Sequence, residues 1–194
     1  MFFGKQIYDS CPYMVCPIDD KVYPVNINFT AMLYKKTLTK EQAMQKLVHY
    51  CRYQERCHSE VKNKLFELGV GRNDHDELIM KLVEENFLDE ERFVLAFTIG
   101  KFKMKQWGRK KIGYALKEKK ISGESIEKAV NQIKERDYMH TLKKLAKEKY
   151  TSLKNEQYLI RKKKTMDYLM QKGYEVEVVK GVVNALQENN KNHI

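Results

Sequence analysis

The chain repeats one short pattern three times. Segments 64–70, 115–121 and 168–174 each end one helical pattern and open another, and we call the turn within each segment a joint. Aligned on Val70, Ile121 and Tyr174, the copies are spaced 51 and 53 residues apart. Tandem units of about this size stack on their neighbours. The spacing therefore predicts a row of small helical units rather than one large domain with an enclosed active site.

An apolar stripe follows each joint at the same offsets. Positions five, nine and twelve residues later hold His75, Ile79, Leu82, then Ile126, Val130, Ile133, then Val179, Val183, Leu186. This spacing places the side chains on one face of a helix. We interpret His75 as a half-exposed edge of that face rather than a ligand. The pattern predicts an all-α fold of tandem three-helix repeats in an elongated, curved array.

The repeat divides the chain into four predicted segments. Residues 1–37 are an irregular N-terminal extension, extended or disordered, and residues 38–88, 89–136 and 137–194 are three-helix repeats, the last with a frayed C-terminus. The extension holds all three prolines and alternates in a strand-like way from Val22 to Phe29. Within it, Met32 is a plausible alternative start. At the start of the first repeat, Thr39 and Gln42 form a capping box that predicts a helix start.

Composition agrees with a helical protein outside the membrane. Hydrophobic residues make up 42% and charged residues 32%, with 3 prolines and 9 glycines in 194 residues. No stretch approaches the roughly 20 apolar residues that cross a bilayer, and the start lacks a basic region before an apolar core. We expect a cytoplasmic location and a monomer.

Cysteine and histidine spacing gives a weak metal signal. Cys11 and Cys16, like Cys51 and Cys57, are too far apart for a Cys-x-x-Cys zinc motif. His49 and His58 lie near the second pair, so a metal site is the alternative, but these positions scatter around a helix and its exit. We predict reduced thiols, with no metal and no cofactor.

Positive charge is concentrated in the second and third units. The net charge is +11, and residues 101–120 hold nine bases against one acid, Glu118. Residues 161–164 form a second basic run just before the third joint. One such run is usually a solvated face, but recurrence at equivalent positions favours a binding surface. The candidate contact residues are Lys101, Lys105, Trp107, Arg109, Lys110, Lys111, Lys117, Arg161, Lys162 and Lys163.

The sequence holds no motif of an enzyme. It lacks a phosphate-binding Gly-x-x-x-x-Gly-Lys loop, a Gly-x-Ser-x-Gly nucleophile turn and a His-Glu-x-x-His helix. We therefore predict no catalytic residue. Trp107, the single tryptophan, is either the last core residue of the stripe that runs from Phe93 through Met104 or an aromatic anchor for a partner.

The order and spacing of several strings resemble the RecX family, bacterial regulators of the RecA recombinase. The resemblance spans about residues 38–186. It depends on segments 55–65, 87–93 and 108–116, on Ile121, and on segment 168–174. Two positions depart from the family pattern. Cys57 stands where serine is usual, which weakens a helix cap, and Lys120 stands where glycine is usual, which requires a different turn or a strained lysine.

The resemblance implies a fold of tandem three-helix units with no catalytic activity. It also implies binding along the groove of the RecA filament on single-stranded DNA, and inhibition of ATP hydrolysis, strand exchange and repressor cleavage. The alternative from the charge pattern is a stand-alone nucleic-acid-binding protein, in which the same lysines contact phosphates without RecA. Weak direct binding to DNA is compatible with both.

Overall fold

Helices make up most of the chain that the structure describes. The computed structural model describes residues 13–15, 22–24 and 38–191, with side chains for 38–186. Over those ranges the helices are α1 (Lys40–Tyr53), α2 (His58–Glu67), α3 (Arg72–Glu84), α4 (Glu90–Lys105), α5 (Arg109–Glu118), α6 (Gly123–Asn131), α7 (Glu135–Ser152), α8 (Tyr158–Gln171) and α9 (Val176–Lys191). The predicted all-α class is confirmed. No helix in these ranges is long and apolar enough to cross a bilayer.

Packing groups the helices in threes along the chain. Substantial helix–helix packing occurs within three groups of consecutive helices, which are α1–α3, α4–α6 and α7–α9. We call these groups unit 1, unit 2 and unit 3. Tandem three-helix units are thus confirmed, whereas the segment boundaries at 88 and 136 stay predictions.

The extension contains a short antiparallel strand pair. β1 (Tyr13–Val15) pairs with β2 (Val22–Pro24), with Tyr13 opposite Pro24. β2 coincides with the start of the strand-like alternation from Val22, and the assignment of residues 1–37 as an irregular extension stays a prediction. Met32 lies outside the described residues.

The three joints share one backbone geometry. Gly69, Lys120 and Gly173 each adopt a left-handed conformation, with φ of 74°, 65° and 93°. The next residue's N–H then donates to the carbonyl five residues back: Val70 to Leu65 at 3.1 Å, Ile121 to Leu116 at 3.3 Å, and Tyr174 to Leu169 at 3.2 Å. This is the Schellman motif, in which the two bonded residues also pack together. The repeated sequence pattern is therefore a repeated helix ending with both apolar residues buried.

Local capping decides several helix starts. Thr39 accepts a hydrogen bond from the Gln42 N–H, as predicted, and completes the capping box. Cys57 is the N-cap of α2 and makes no side-chain cap bond, so the predicted weakening is confirmed. Ser59, the second residue of α2, donates its hydroxyl to the Lys119 carbonyl at 3.0 Å.

The half-exposed position expected for His75 is wrong. His75 is buried at 5% exposure, its Nε2 lies 3.1 Å from the Val70 carbonyl, and its ring meets Phe66 edge-on. The first joint gives the imidazole a backbone partner, and that hydrogen bond offsets the cost of burying a polar ring.

Two cores hold the units. One core lies within unit 1, where α1, α2 and α3 contribute residues such as Leu47, Leu65 and Leu82. The other is continuous through units 2 and 3 and includes Ile112, Leu142 and also Cys57 from unit 1. Units 2 and 3 are therefore joined by shared apolar burial, whereas unit 1 contributes one N-cap residue to it.

Candidate interaction surface

The predicted contact residues cluster where α4 turns into α5. Helix α4 ends in a left-handed cap at Gln106, with φ of 53°, and Gly108 is the N-cap of α5. The sharp reversal brings the last turn of α4 beside the first turn of α5. Basic residues that lie ten positions apart in the sequence thereby approach the same indole.

Trp107 lies between two lysines at this reversal. The Lys101 Nζ is 5.3 Å and the Lys111 Nζ is 5.0 Å from the centre of the indole. Lys101 also lies 5.0 Å from the Phe97 ring, and Lys111 donates to the Gln171 carbonyl at 3.1 Å. Cation–π contacts of this kind hold the ammonium groups in place beside the aromatic ring. Trp107 is partly buried against the core, which agrees with its interpretation as a core residue, whereas its role as an anchor for a partner stays a prediction.

This cluster forms one end of a groove between unit 1 and unit 2. The groove has a volume of about 1190 Å³ and is lined by α2, α4 and α5. Its larger apolar side chains are Phe66, Phe93, Phe97, Met104 and Trp107. Its basic side chains are Lys62, Lys101, Lys105, Lys119 and Lys120, and its carboxylates are Glu55, Glu60, Glu90 and Glu118.

Ion pairs cancel most of the charge in the groove, but not all of it. Glu60 pairs with Lys119 at 2.6 Å, Glu90 with His58 at 3.3 Å, and Glu55 with Arg92 at 3.3 Å. Among residues 38–186, no carboxylate lies within ion-pair distance of Lys101, Lys105 or Lys120. Of the four carboxylates that line the groove, Glu118 is the one without a basic partner in these residues. The end of the groove near Trp107 therefore carries uncompensated positive charge beside exposed apolar surface.

Both candidate arginines are engaged within the fold. The Arg109 guanidinium pairs with Glu135 at 2.8 Å, donates to the Ile133 carbonyl at 3.1 Å, and lies 4.2 Å from the Tyr138 ring centre. Arg161 donates to the Tyr150 carbonyl at 2.7 Å, with its guanidinium 3.6 Å from that ring. These contacts give the two guanidinium groups a role in joining helices.

The other candidates lie on separate faces. Lys110 and Lys117 are exposed and lie with Tyr114 on the side of α5 that faces α6. Lys162 and Lys163 lie on α8, and neither lines the groove. The structure thus brings Lys101, Lys105, Trp107 and Lys111 together and separates them from the remaining candidates.

Several groove residues were not predicted from the sequence. The stripe predicted Met104 on the buried face of α4, but it is 81% exposed because Thr98 and Phe102 take the buried positions. Lys119 and Lys120 belong to the basic run but were not among the predicted contact residues. Phe66 is 48% exposed on α2, and no signal in the sequence separates it from a core phenylalanine.

The cysteine and histidine side chains between residues 38 and 186 do not converge on a metal site. Within the described residues, no group of three or more His, Cys, Asp or Glu side chains could hold a metal ion. Cys51 and Cys57 are buried free thiols, one in each core. Burial raises the pKa of the Cys51 thiol and so keeps it protonated.

Two family profiles match the second and third units. Residues 89–130 match the second three-helix domain of RecX, and residues 136–183 match the third. Regulatory protein RecX of Clostridium tetani is 35% identical over 129 residues, 66% of this chain and 59% of the relative. Regulatory protein RecX of Clostridium perfringens is 30% identical over 133 residues, 67% of this chain and 61% of the relative. The chain thus spans about three fifths of these relatives.

Solved structures agree in fold. A crystal structure of regulatory protein RecX has a TM-score of 0.69 at 20% identity and covers 84% of this chain and 80% of its own. RecX from Lactobacillus salivarius has a TM-score of 0.68 at 20% identity and covers 76% of this chain and 96% of its own. At this identity the likeness concerns the fold.

Proposed function

The chain belongs to the RecX family, and from that premise we propose that it regulates a RecA recombinase by binding the RecA filament on single-stranded DNA. In this proposal it lowers the ATPase, strand-exchange and coprotease activities of the filament and catalyses no reaction itself. It acts as a monomer in the cytoplasm, where RecA assembles on DNA. Because a ligand shifts an equilibrium only by its differential affinity, it must bind an inhibited filament more tightly than an active one.

The observation that carries the proposal is the basic end of the groove. Lys101 and Lys105 have no carboxylate partner there, and Met104 and Trp107 offer apolar contact area. Aromatic anchors surrounded by charge are typical of energetically important sites in protein interfaces. An acidic, partly apolar surface of a filament subunit would complement this end.

The four lining glutamates support a protein partner for the groove. Glu55, Glu60 and Glu90 are already paired with bases, but they still place carboxylate oxygens along the path. A phosphodiester chain running the length of the groove would meet bases that are already paired with these carboxylates, so it would gain little from them. A folded protein can instead present basic side chains to the part of the groove that holds these glutamates and acidic side chains to the end near Trp107.

The ATPase activity of RecA on single-stranded DNA, measured with increasing amounts of the full chain, tests the proposal. The natural chain should inhibit it, and the double variant Lys101→Glu, Lys105→Glu should inhibit at least tenfold less effectively. The control is Lys143→Glu, Lys147→Glu, which makes the same charge change with the same spacing on exposed positions of α7. Equal inhibition by both variants would exclude the groove, and no inhibition by the natural chain would exclude the function.

Salt separates this function from stand-alone nucleic-acid binding. Phosphate contacts release counterions, so affinity that depends on them falls steeply with added salt. Affinity that depends on apolar anchors around Trp107 should fall much less. Inhibition that disappears in parallel with DNA binding as salt rises would favour the alternative.

A further inference from the structure

The side of α5 that faces α6 carries an exposed tyrosine between two lysines. Tyr114 is 70% exposed, and Lys110 and Lys117 lie four residues before it and three after it. Residues at these spacings share one side of a helix, so the three side chains form a row. Lys110 and Lys117 are seven residues apart, which separates their Cα atoms by about 10.5 Å along the helix axis. We call this row the outer face.

The surface beside Tyr114 is shallow and mostly apolar. A concavity of about 470 Å³ between α5 and α6 is lined by Gly113, Gly123, Ile126 and Val130 together with the outer face. Gly113 has no side chain, whereas a Cβ atom there would lie 3.6 Å from Ile126. The glycine therefore leaves open space between Ile126 and the tyrosine ring. The exposed Tyr114 side chain therefore borders a shallow apolar surface.

Positive charge on the outer face has no internal partner. Among residues 38–186, no carboxylate lies within ion-pair distance of Lys110 or Lys117, and the first turn of α5 holds no acid. The lining carboxylates are Glu127 and Glu175. Glu175 accepts a hydrogen bond from the Tyr138 hydroxyl at 2.6 Å, which leaves Glu127 as the lining acid that faces solvent. Glu118, four residues after Tyr114, is a second exposed acid beside the row.

We propose that the outer face binds single-stranded nucleic acid, with a base stacked on Tyr114 and the flanking phosphates paired with Lys110 and Lys117. Proteins that bind single strands without sequence preference combine an aromatic platform with a basic track. A duplex keeps its bases stacked inside and cannot offer one to the ring. A peptide side chain would gain most from a deep pocket, whereas this surface is shallow with a projecting ring.

This inference goes beyond regulation of a filament, because the outer face needs no RecA in order to bind. It also shares no lining residue with the groove. The two surfaces can therefore be altered separately, and the failure of one proposal leaves the other standing.

Binding of the full chain to fluorescein-labelled oligo(dT), followed by anisotropy at low salt without RecA, tests the stacking. Tyr114→Ala should weaken binding about tenfold, since one stacked base contributes on the order of 1–3 kcal/mol and 1.4 kcal/mol is tenfold. Tyr114→Phe keeps the ring and should bind within about twofold of the natural chain. Tyr53→Ala removes an 81% exposed tyrosine from α1 and should change nothing.

The salt dependence tests the two lysines. Lys110→Gln, Lys117→Gln should reduce the slope of log affinity against log salt by about 1.4, because each single-strand phosphate contact contributes about 0.7. The control Lys143→Gln, Lys147→Gln removes the same charge from α7 and should leave the slope near its natural value. Glu127→Gln should tighten binding, since it removes the acid beside the phosphate path.

Three results would overturn the inference. The natural chain could fail to bind oligo(dT) at low salt, Tyr114→Ala could bind as tightly as the natural chain, or the two lysine pairs could change the slope equally. A tighter affinity for duplex than for oligo(dT) of equal length would also contradict base stacking. None of these results depends on the ATPase assay.

Discussion

The two interfaces between consecutive units use the same elements but different chemistry. At each one, the N-terminus of a unit's second helix faces the joint of the following unit. Between units 2 and 3 the contact is made by backbone: the Gly108 N–H donates to the Lys172 carbonyl at 2.8 Å, and the Lys110 N–H to the Gly173 carbonyl at 3.1 Å. Between units 1 and 2 it is made by side chains, with the Ser59 hydroxyl on the Lys119 carbonyl.

Equivalent positions explain the difference. Gly108 lets the two backbones touch, whereas Cys57, the N-cap of α2, fills the same position with a thiol. The first residue of the second helix pairs with the first residue of the next unit in both interfaces. That pair is Arg109 with Glu135 in one, and His58 with Glu90 in the other. The histidine pair is an ion pair only while the imidazole is protonated.

The comparison indicates that units 2 and 3 form one body and that unit 1 is attached to it by polar contacts. A shared core resists separation because apolar area would be exposed. Partly exposed ion pairs contribute little to stability. The groove lies at the weaker interface, so a bound partner would contact both bodies.

The largest expected effect is from Gly108→Ala. The new Cβ would lie 2.3 Å from the Gly173 carbonyl group, which is backbone and cannot move away cheaply. We expect a loss of about 3 kcal/mol or more in the free energy of unfolding. Urea unfolding measures it. The control Gly100→Ala has open space around it on α4 and should be neutral or slightly stabilising.

A smaller loss is expected from Tyr138→Phe in the same interface. The Tyr138 hydroxyl donates to Glu175 and accepts from the Arg109 N–H at 3.3 Å, so its removal should cost about 1–2 kcal/mol. Burial and the hydrogen bond to Glu175 raise the pKa of Tyr138, so the native phenol stays neutral above pH 10. The unfolded phenol ionises first, and stability is lost as pH rises.

Unfolding at rising pH checks this sign. The stability advantage of the natural chain over Tyr138→Phe should be complete below about pH 10 and should shrink above it. An advantage that grows with alkalinity would contradict the assigned network.

A gain in stability is expected at the second joint. Lys120 adopts a left-handed conformation, which favours glycine, so Lys120→Gly should stabilise by about 1 kcal/mol. Gly69→Ala is the reverse change at the first joint, where no atom lies within 4 Å of the new Cβ. It should destabilise by about the same amount through backbone conformation alone. Equal signs for the two variants would contradict the shared geometry.

The smallest effect is expected from Glu60→Gln at the polar interface. Its pair with Lys119 is partly exposed, so its loss should cost roughly 1 kcal/mol or less. Hydrogen exchange should rise in α2 and the second joint while the shared core of units 2 and 3 stays protected. Uniformly faster exchange throughout the chain would mean that all three units unfold together.

The sequence predicted the fold well because the repeat is a local signal. The left-handed residue and the two apolar residues of a Schellman motif lie within six positions, so each joint can be predicted from the local sequence without tertiary structure. The Thr39 cap is equally local. The Ser59 hydroxyl, in contrast, bonds to a carbonyl 60 residues away, and no spacing rule predicts such a contact.

The contact surface was predicted less well, because charge on a sequence does not show which charges are already paired. Arg109 and Arg161 appear in the same basic runs as the lysines, yet both are engaged with tyrosines and carbonyls. Met104 continues the helical stripe in the sequence, but in the structure it lies beyond the part of α4 that the core covers. Tyr114 follows no pattern, since its exposure depends on how α6 packs beside α5.

The most direct test of the central claim is photo-crosslinking from the groove. The full chain carries p-benzoylphenylalanine in place of Met104, or in place of Lys143 on α7 as the control, and is irradiated with RecA filaments on single-stranded DNA. We predict a crosslink to RecA from position 104 and little or none from position 143. A crosslink from position 143 with none from position 104 would show that the groove is not where this protein meets the filament.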